Sequence, residues 1–160
     1  MRVFAIFTSL AFLQFVECVV YDVDDLRAEL MEIDENLQRA ELSPAQEAAH
    51  IHRRKQIWEE MNRGGKILPT SSTRQKQQFA SEVASVTGAS KRDVNMKIAR
   101  ARELGADIHR IANTSLDKGV EMDALIKLEP EQRADLIARA EAGEKVSAIR
   151  TSSCYRCRFV

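Results

Sequence analysis

The segment that most constrains the fold is FASEVASVTGASKRDVNMKIARAREL, residues 79–104, which has the spacing of a helix-turn-helix. Gly88 lies where the chain has to turn sharply, and glycine adopts positive φ without steric cost. Ser90 is a suitable N-cap for a second helix, in which the apolar residues Val94 and Ile98 are one turn apart. These two residues are expected to pack on the first helix.

The same spacing predicts which side of the second helix is exposed. Burial of Ala84 against Val94 and Ile98 would turn polar side chains outward, where they can reach base edges in a DNA major groove. Arg or Lys pairs well with guanine, and Asn with adenine. The residues of this helix that we predict to contact DNA are Ser90, Lys91, Arg92, Asn95 and Met96.

Charge is divided unevenly along a chain that has no net charge. Residues 21–51 contain nine acidic and two basic residues, whereas residues 52–104 contain twelve basic and five acidic ones. The basic block includes the predicted helix-turn-helix, as neutralisation of DNA phosphates requires. A solvated basic helix face is the alternative interpretation. The predicted phosphate-contacting residues are Arg53, Arg54, Lys97, Arg100 and Arg102.

Composition favours an all-α fold of ordinary domain size. Aromatic residues make up 6% of the 160 residues, and the chain has 6 Gly and 3 Pro, which argues against a β-sandwich or barrel. Ser43 and Gln46 form a capping box around Pro44, a strong signal for a helix start. Residues 64–75 are expected to form a loop before the helix-turn-helix. Asp24 or Asp25 is expected to cap a first helix, and further helices are predicted near Asp107, at Met122 and at Pro130.

The two ends differ from the middle. Residues 1–20 are apolar and resemble a secretory signal peptide in outline, although polar residues interrupt them and no small-x-small cleavage site follows. An exported helical protein is therefore one alternative. A short β-strand at residues 16–21 is the favoured interpretation, because Val and Tyr prefer extended structure. Residues 151–160 are expected to be an unstructured tail. Its Cys154-x-x-Cys157 pair has no second pair to complete a zinc site, so no metal is predicted.

Residues 35–44, ENLQRAELSP, resemble the ENxxR-x-x-L-x-P segment of the ParB partition-protein family. In that family the segment joins an N-terminal nucleotide-binding, nuclease-like domain to a central helix-turn-helix domain. A long helix, a loop and the helix-turn-helix pattern follow in the same order here. The stretch SLDKGVEMDALIKLEPEQRADLIARAEAGEKVSA also resembles the segment after the recognition helix in plasmid- and phage-borne ParB-like proteins.

The resemblance implies a bacterial DNA-binding protein of plasmid partition or chromosome segregation. Such a protein would be cytoplasmic and associated with nucleoid or plasmid DNA, with a second copy or a ParA-type protein as a partner and without membrane contact. The resemblance also implies that Glu35, Asn36 and Arg39 match residues that hold the phosphates of CTP and Mg²⁺.

One family motif is missing from this sequence, namely the upstream GxxRR-type phosphate motif. Residues 16–24 resemble the closing strand of the family's N-terminal domain. We therefore expect a truncated ParB-like chain, with residues 1–22 as a remnant of that domain and residues 23–150 as a helical DNA-binding domain. No bound cofactor is expected.

Catalysis is not predicted. The sequence shows no Ser-His-Asp set, no Cys–His pair at useful spacing and no metal-ligand cluster. A CTP-binding or nuclease-like ParB enzyme is the alternative function within the same family.

Overall fold

The structure is a computed structural model that describes residues 20–39, 41–63 and 72–151. All regular secondary structure in these ranges is helical, which confirms the predicted all-α class. The helices are α1 (Asp25–Gln38), α2 (Pro44–Arg63), α3 (Ser72–Thr87), α4 (Lys91–Leu104), α5 (Asp107–Ile111), α6 (Gly119–Leu125) and α7 (Pro130–Glu141). A last helical turn covers residues 148–151. None of the helices in the described ranges has the length and apolar run that a bilayer crossing needs.

Polar side chains fix the starts of the first two helices. The Asp24 carboxylate accepts a 2.8 Å hydrogen bond from the backbone N–H of Arg27 at the start of α1. At α2 the predicted capping box is present, because the Ser43 N–H donates to Gln46 Oε1 at 3.0 Å and the Gln46 N–H donates to Ser43 Oγ at 3.3 Å. Pro44 is the first residue of α2.

Two buried apolar clusters hold the helices together. The N-terminal cluster joins the first four helices, and its members are Ile33, Leu37, Ile51, Ile57, Phe79, Ala80, Val83, Val94 and Ile98. The C-terminal cluster joins the start of α2 and the end of α4 to the later helices, and its largest members are Ile111, Leu116, Met122, Leu125 and Ile137. Helices α2 and α4 contribute to both clusters and pack against each other, so they connect the two halves of the fold.

The predicted N-terminal strand is not found within the described residues. Residues 16–19 lie outside them, and Val20 and Tyr21 are irregular, with 51% and 57% of their surfaces exposed. A strand needs a neighbour for its backbone hydrogen bonds, and the described ranges contain no other strand. The signal-peptide alternative and the tail with Cys154 and Cys157 also fall outside the described residues.

Two predicted boundaries are wrong. The loop predicted over residues 64–75 ends earlier, because α3 begins at Ser72, and residues 64–71 lie outside the description. The Arg, Gln and Lys residues that follow Ser72 favour helix, although they carry no apolar periodicity. Helix α6 begins at Gly119 rather than at Met122, because its first turn also carries no regular apolar pattern.

Candidate nucleic-acid interface

A three-residue turn separates α3 from α4 at the predicted place. Gly88 has φ of +71°, and its N–H donates a 3.0 Å hydrogen bond to the carbonyl oxygen of Ala84, which ends α3. The Ser90 side chain is the N-cap of α4 and accepts a 3.1 Å hydrogen bond from the N–H of Asp93. The turn is therefore fixed at both of its ends by local hydrogen bonds.

The apolar contact between these two helices is buried, but it differs in one residue from the prediction. Val94 is fully buried and Ile98 is 8% exposed, as expected. From α3 the buried partners in the same cluster include Ala80 and Val83, whereas Ala84 is only half-buried. The sequence spacing predicted burial of Ala84, whereas the buried residue is its neighbour Val83. The two residues are adjacent and both apolar, so the spacing did not distinguish between them.

The opposite side of α4 is exposed along its whole length. Val94, Ile98, Ala101 and Leu104 form the buried side of the helix. The exposed side, which we call the α4 face, consists of Lys91, Arg92, Asn95, Met96, Ala99, Arg102 and Glu103. At a rise of 1.5 Å per residue, Lys91 and Arg102 are about 16 Å apart along this face. Its three basic side chains form no ion pair with any described residue.

Two predicted phosphate contacts on α2 are engaged in ion pairs with α1. The Arg53 guanidinium binds the Glu29 carboxylate through two hydrogen bonds, of 2.6 and 2.7 Å. This hydrogen bonding from Arg53 lowers the pKa of Glu29. Arg54 Nε donates to Asp34 Oδ1 at 2.7 Å, and its guanidinium carbon lies 5.8 Å from the centre of the Phe79 ring. Both arginines therefore join α1 to α2.

Lys97 is likewise occupied by carboxylates. Its ammonium group lies 2.7 Å from Glu47 of α2 and 2.7 Å from Asp93 of α4, and only 14% of the side chain is exposed. Burial lowers the pKa of Lys97, but the hydrogen bonds to Asp93 and Glu47 together outweigh it, so that the pKa is raised. Lys97 thus fixes the side of α4 that faces α2.

Arg100 likewise holds α4 in place, in this case against α6. Its guanidinium forms two hydrogen bonds of 2.7 Å with the Asp123 carboxylate. Gly119 lies so close that a Cβ atom there would be 2.8 Å from Arg100 Nη1. Of the five bases predicted to contact phosphates, Arg102 is the one that pairs with no carboxylate in the described part of the chain.

These pairs give the division of charge a structural meaning. Three acidic residues of the first block, Glu29, Asp34 and Glu47, form ion pairs with basic residues of the second block on α2 and α4. The uneven charge distribution that suggested a basic DNA-binding surface therefore arises in part from ion pairs between helices. The exposed basic groups that remain on α4 are Lys91, Arg92 and Arg102.

The residues implied to bind nucleotide are not gathered around one site. Glu35, in the last turn of α1, and Arg39, the residue that follows the helix, form an exposed ion pair of 2.8 Å. Asn36 is half-buried and faces a groove between α1 and α2 that neither of these two residues lines. In addition, the described residues contain no group of three or more His, Cys, Asp or Glu side chains that could hold a metal ion.

The sequence did not predict the roles of two buried acidic residues, Asp117 and Glu121, which both accept hydrogen bonds from backbone N–H groups. Asp117 accepts hydrogen bonds from the N–H groups of Ala45 at 2.7 Å and Asn113 at 2.6 Å. Glu121 accepts hydrogen bonds from the N–H of Ala148 and the hydroxyl of Ser147. No signal in the sequence indicates these contacts, because Ala45 lies 72 residues from Asp117, and Ser147 and Ala148 lie 26 and 27 residues from Glu121.

The comparisons with known proteins add no relative. No model of a known protein family matches the chain, and no curated protein matches it. The candidate interface therefore rests on its own geometry.

Proposed function

We propose that this protein binds double-stranded DNA through the α4 face, with α3 and α4 as the two helices of a helix-turn-helix. The observation that carries the proposal is the exposure of Lys91, Arg92 and Asn95 on a helix whose opposite side is anchored in the core. A single exposed helix face of this kind fits the DNA major groove, which is about 12 Å wide.

Each exposed side chain of the first turns has a chemical role in this proposal. Lys91 and Arg92 donate hydrogen bonds to guanine acceptors, and Asn95 pairs with adenine. Met96, of which 39% is exposed, packs against the methyl group of thymine. The Ser90 oxygen accepts the capping hydrogen bond, so its own O–H is left to donate to a phosphate oxygen.

We reassign four of the predicted phosphate contacts. Arg53, Arg54, Lys97 and Arg100 would have to leave carboxylate partners to reach DNA, and breaking such partly buried pairs costs free energy. In this proposal Arg53 and Arg54 join α1 to α2, while Lys97 and Arg100 position α4, and none of the four contacts DNA. Arg102, at the far end of the α4 face, is the phosphate contact that needs no such exchange.

The biological setting proposed is plasmid partition or chromosome segregation in the bacterial cytoplasm. It is supported by the resemblance of residues 35–44 and of the later helical segment to ParB-like proteins. One recognition helix makes few contacts, so we propose that two copies bind a two-fold symmetric site. A ParA-type partner is proposed on the resemblance alone.

The alternative of a CTP-dependent enzyme gains no support from the described geometry. Glu35 and Arg39 are paired with each other, and Asn36 faces another groove. We accordingly propose that the protein works without CTP, Mg²⁺ or catalysis.

The experiment that tests the proposal is selection of duplexes from a randomised DNA pool by the full chain, followed by affinity measurement on the enriched sequence. We expect the Lys91→Ala, Arg92→Ala double variant to lose at least about 30-fold in specific affinity, since each good base contact contributes about 1–3 kcal/mol. The matched control is Lys127→Ala with Arg150→Ala, which removes one exposed lysine and one exposed arginine elsewhere.

The control should keep its affinity for the selected duplex, and both variants should keep their helical circular dichroism. Equal affinities of the two double variants would remove the α4 face from the proposal. Failure of the pool to yield any enriched sequence would count against specific DNA binding altogether.

A further inference from the structure

A groove of about 730 Å³ lies between α1, α2 and the junction of α4 with α5. We call it the histidine groove, because all three histidines of the chain line it. His50 and His52 come from α2 and are half-buried, whereas His109 comes from α5 and is exposed. The sequence spacing of the three residues gives no hint that they share one groove.

The groove continues the α4 face. Arg102 belongs to both, because it is exposed on α4 and also lines the groove. A DNA backbone that follows the α4 face from Lys91 for about 16 Å would reach the groove at Arg102. This continuity places a histidine-lined recess beside the proposed path of the phosphates.

Among the described charged residues that line the groove, Arg102 is the arginine that pairs with no carboxylate. Arg53 also lines the groove, but Glu29 neutralises it through two hydrogen bonds. Glu32 lines the groove from α1, on the side of His50, and is the carboxylate there that no described base pairs with. A ligand with negative charge is therefore favoured at the Arg102 end and disfavoured at the Glu32 end.

We propose that the histidine groove binds a phosphate group at its Arg102 end and that protonation of His52 strengthens this binding. The inference rests on the proposed function in one respect, namely that the DNA backbone supplies the phosphate. Free phosphate is the other source of the same chemistry, and the two are separated by experiment below.

The electrostatics of the groove agree with this role. Burial lowers the pKa of His52, and the positive charges of Lys55 and Arg102 lower it further, against the opposing effect of Glu59. Burial also lowers the pKa of His50, which Glu32 raises and His109 lowers. Around the His52 ring the cations Lys55 and Arg102 outnumber the Glu59 carboxylate, which is itself paired with Lys55 at 3.7 Å, so a bound phosphate would supply further negative charge to a protonated ring. Because the coupling is reciprocal, bound phosphate raises the pKa of His52, and acidification strengthens phosphate binding.

The first test follows the histidine ring signals of the full chain by NMR while the pH is varied, in inorganic phosphate and in chloride at equal ionic strength. The His52→Gln variant assigns the signal. If phosphate binds the protonated form about tenfold more tightly, saturating phosphate raises the pKa of His52 by about one unit. An identical His52 titration in the two buffers would overturn the proposal.

The second test measures affinity for duplex DNA between about pH 7.5 and about pH 5.5, where histidine titrates. The wild-type protein should gain about tenfold more affinity on acidification than His52→Gln, and Arg102→Gln should lose affinity at both pH values. Arg150→Gln is the matched control and should follow the wild type. A pH response that His52→Gln leaves intact would contradict the assignment of DNA phosphate to the groove.

The two tests separate the claims. If phosphate shifts the His52 titration but DNA does not bind at any pH, the groove is a site for free phosphate and the proposed function fails. If DNA binds specifically and neither the titration nor the pH response depends on His52, the function stands and the groove proposal is refuted.

Discussion

Asp117 and Ala45 are 72 residues apart in the sequence and joined by a 2.7 Å hydrogen bond from the Ala45 N–H to the Asp117 carboxylate. Ala45 lies in the first turn of α2, where backbone N–H groups have no partner within the helix. The loop before α6 thus supplies a cap to a helix far away in sequence. A negative charge at this end of α2 also interacts favourably with the helix dipole.

Asp117→Asn tests this cap. The amide keeps the shape but loses the charge and one of the two acceptor atoms, so the free energy of unfolding should fall by about 2 kcal/mol. Urea unfolding of the full chain measures the change. Asp135→Asn is the matched control, because 68% of that side chain is exposed, and it should change the stability by less than about 0.5 kcal/mol. Equal effects of the two substitutions would show that the Asp117 cap is not stabilising.

A second prediction concerns the turn between α3 and α4. Gly88 has φ of +71°, and a Cβ atom there would meet nothing within 4 Å, so the cost of a side chain is purely conformational. Gly88→Ala should lower the free energy of unfolding by about 1 kcal/mol. Gly88→Asn should cost less, because asparagine tolerates this conformation better. Thermal or urea unfolding distinguishes the two, and an Ala variant as stable as the Asn variant would contradict the argument.

His50 gives the stability a pH dependence of known sign. Its pKa in the folded protein lies below the ordinary value of 6.5, chiefly because of burial. As pH falls below 6.5, the unfolded chain takes up a proton that the folded chain does not, so the folded state loses stability until the lowered pKa is passed.

His50→Gln should therefore reduce the loss of stability between about pH 7.5 and about pH 5.5. The measurement is urea unfolding at both pH values in chloride buffer, so that phosphate does not bind the histidine groove. A variant that loses as much stability as the wild type on acidification would show that His50 does not contribute.

The sequence predicted the parts of this fold that depend on local chemistry. The capping box at Ser43 and Gln46, the turn at Gly88 and the burial of Val94 and Ile98 all follow from residues close together in the chain. The all-α class followed from composition and periodicity. Such features are encoded within one or two helical turns.

The contacts that the sequence could not predict are those between distant helices. Arginine is usually exposed, so the sequence alone does not predict that Arg53 and Arg100 are paired. Arg53 binds Glu29 because α2 packs on α1, and Arg100 binds Asp123 because α4 packs on α6. The histidine groove likewise forms because α5 folds back beside α2, which places His109 near His50. A pattern of charge along the chain reports neither the partner of a residue nor its exposure.

The salt dependence of DNA affinity tests the central claim most directly. The α4 face brings three cations against DNA, Lys91 and Arg92 at base edges and Arg102 at a phosphate, and each displaces condensed counterions from the duplex. The logarithm of affinity should therefore fall against the logarithm of salt concentration with a slope of about −2.7 per chain, that is, about 0.9 for each basic residue. The measurement is fluorescence anisotropy of the selected duplex with the full chain between about 50 and about 200 mM salt. Lys91→Ala with Arg92→Ala should bring the slope close to −1. Binding that is insensitive to salt, or no binding at the lowest salt, would contradict the account of α4 as a DNA-binding helix.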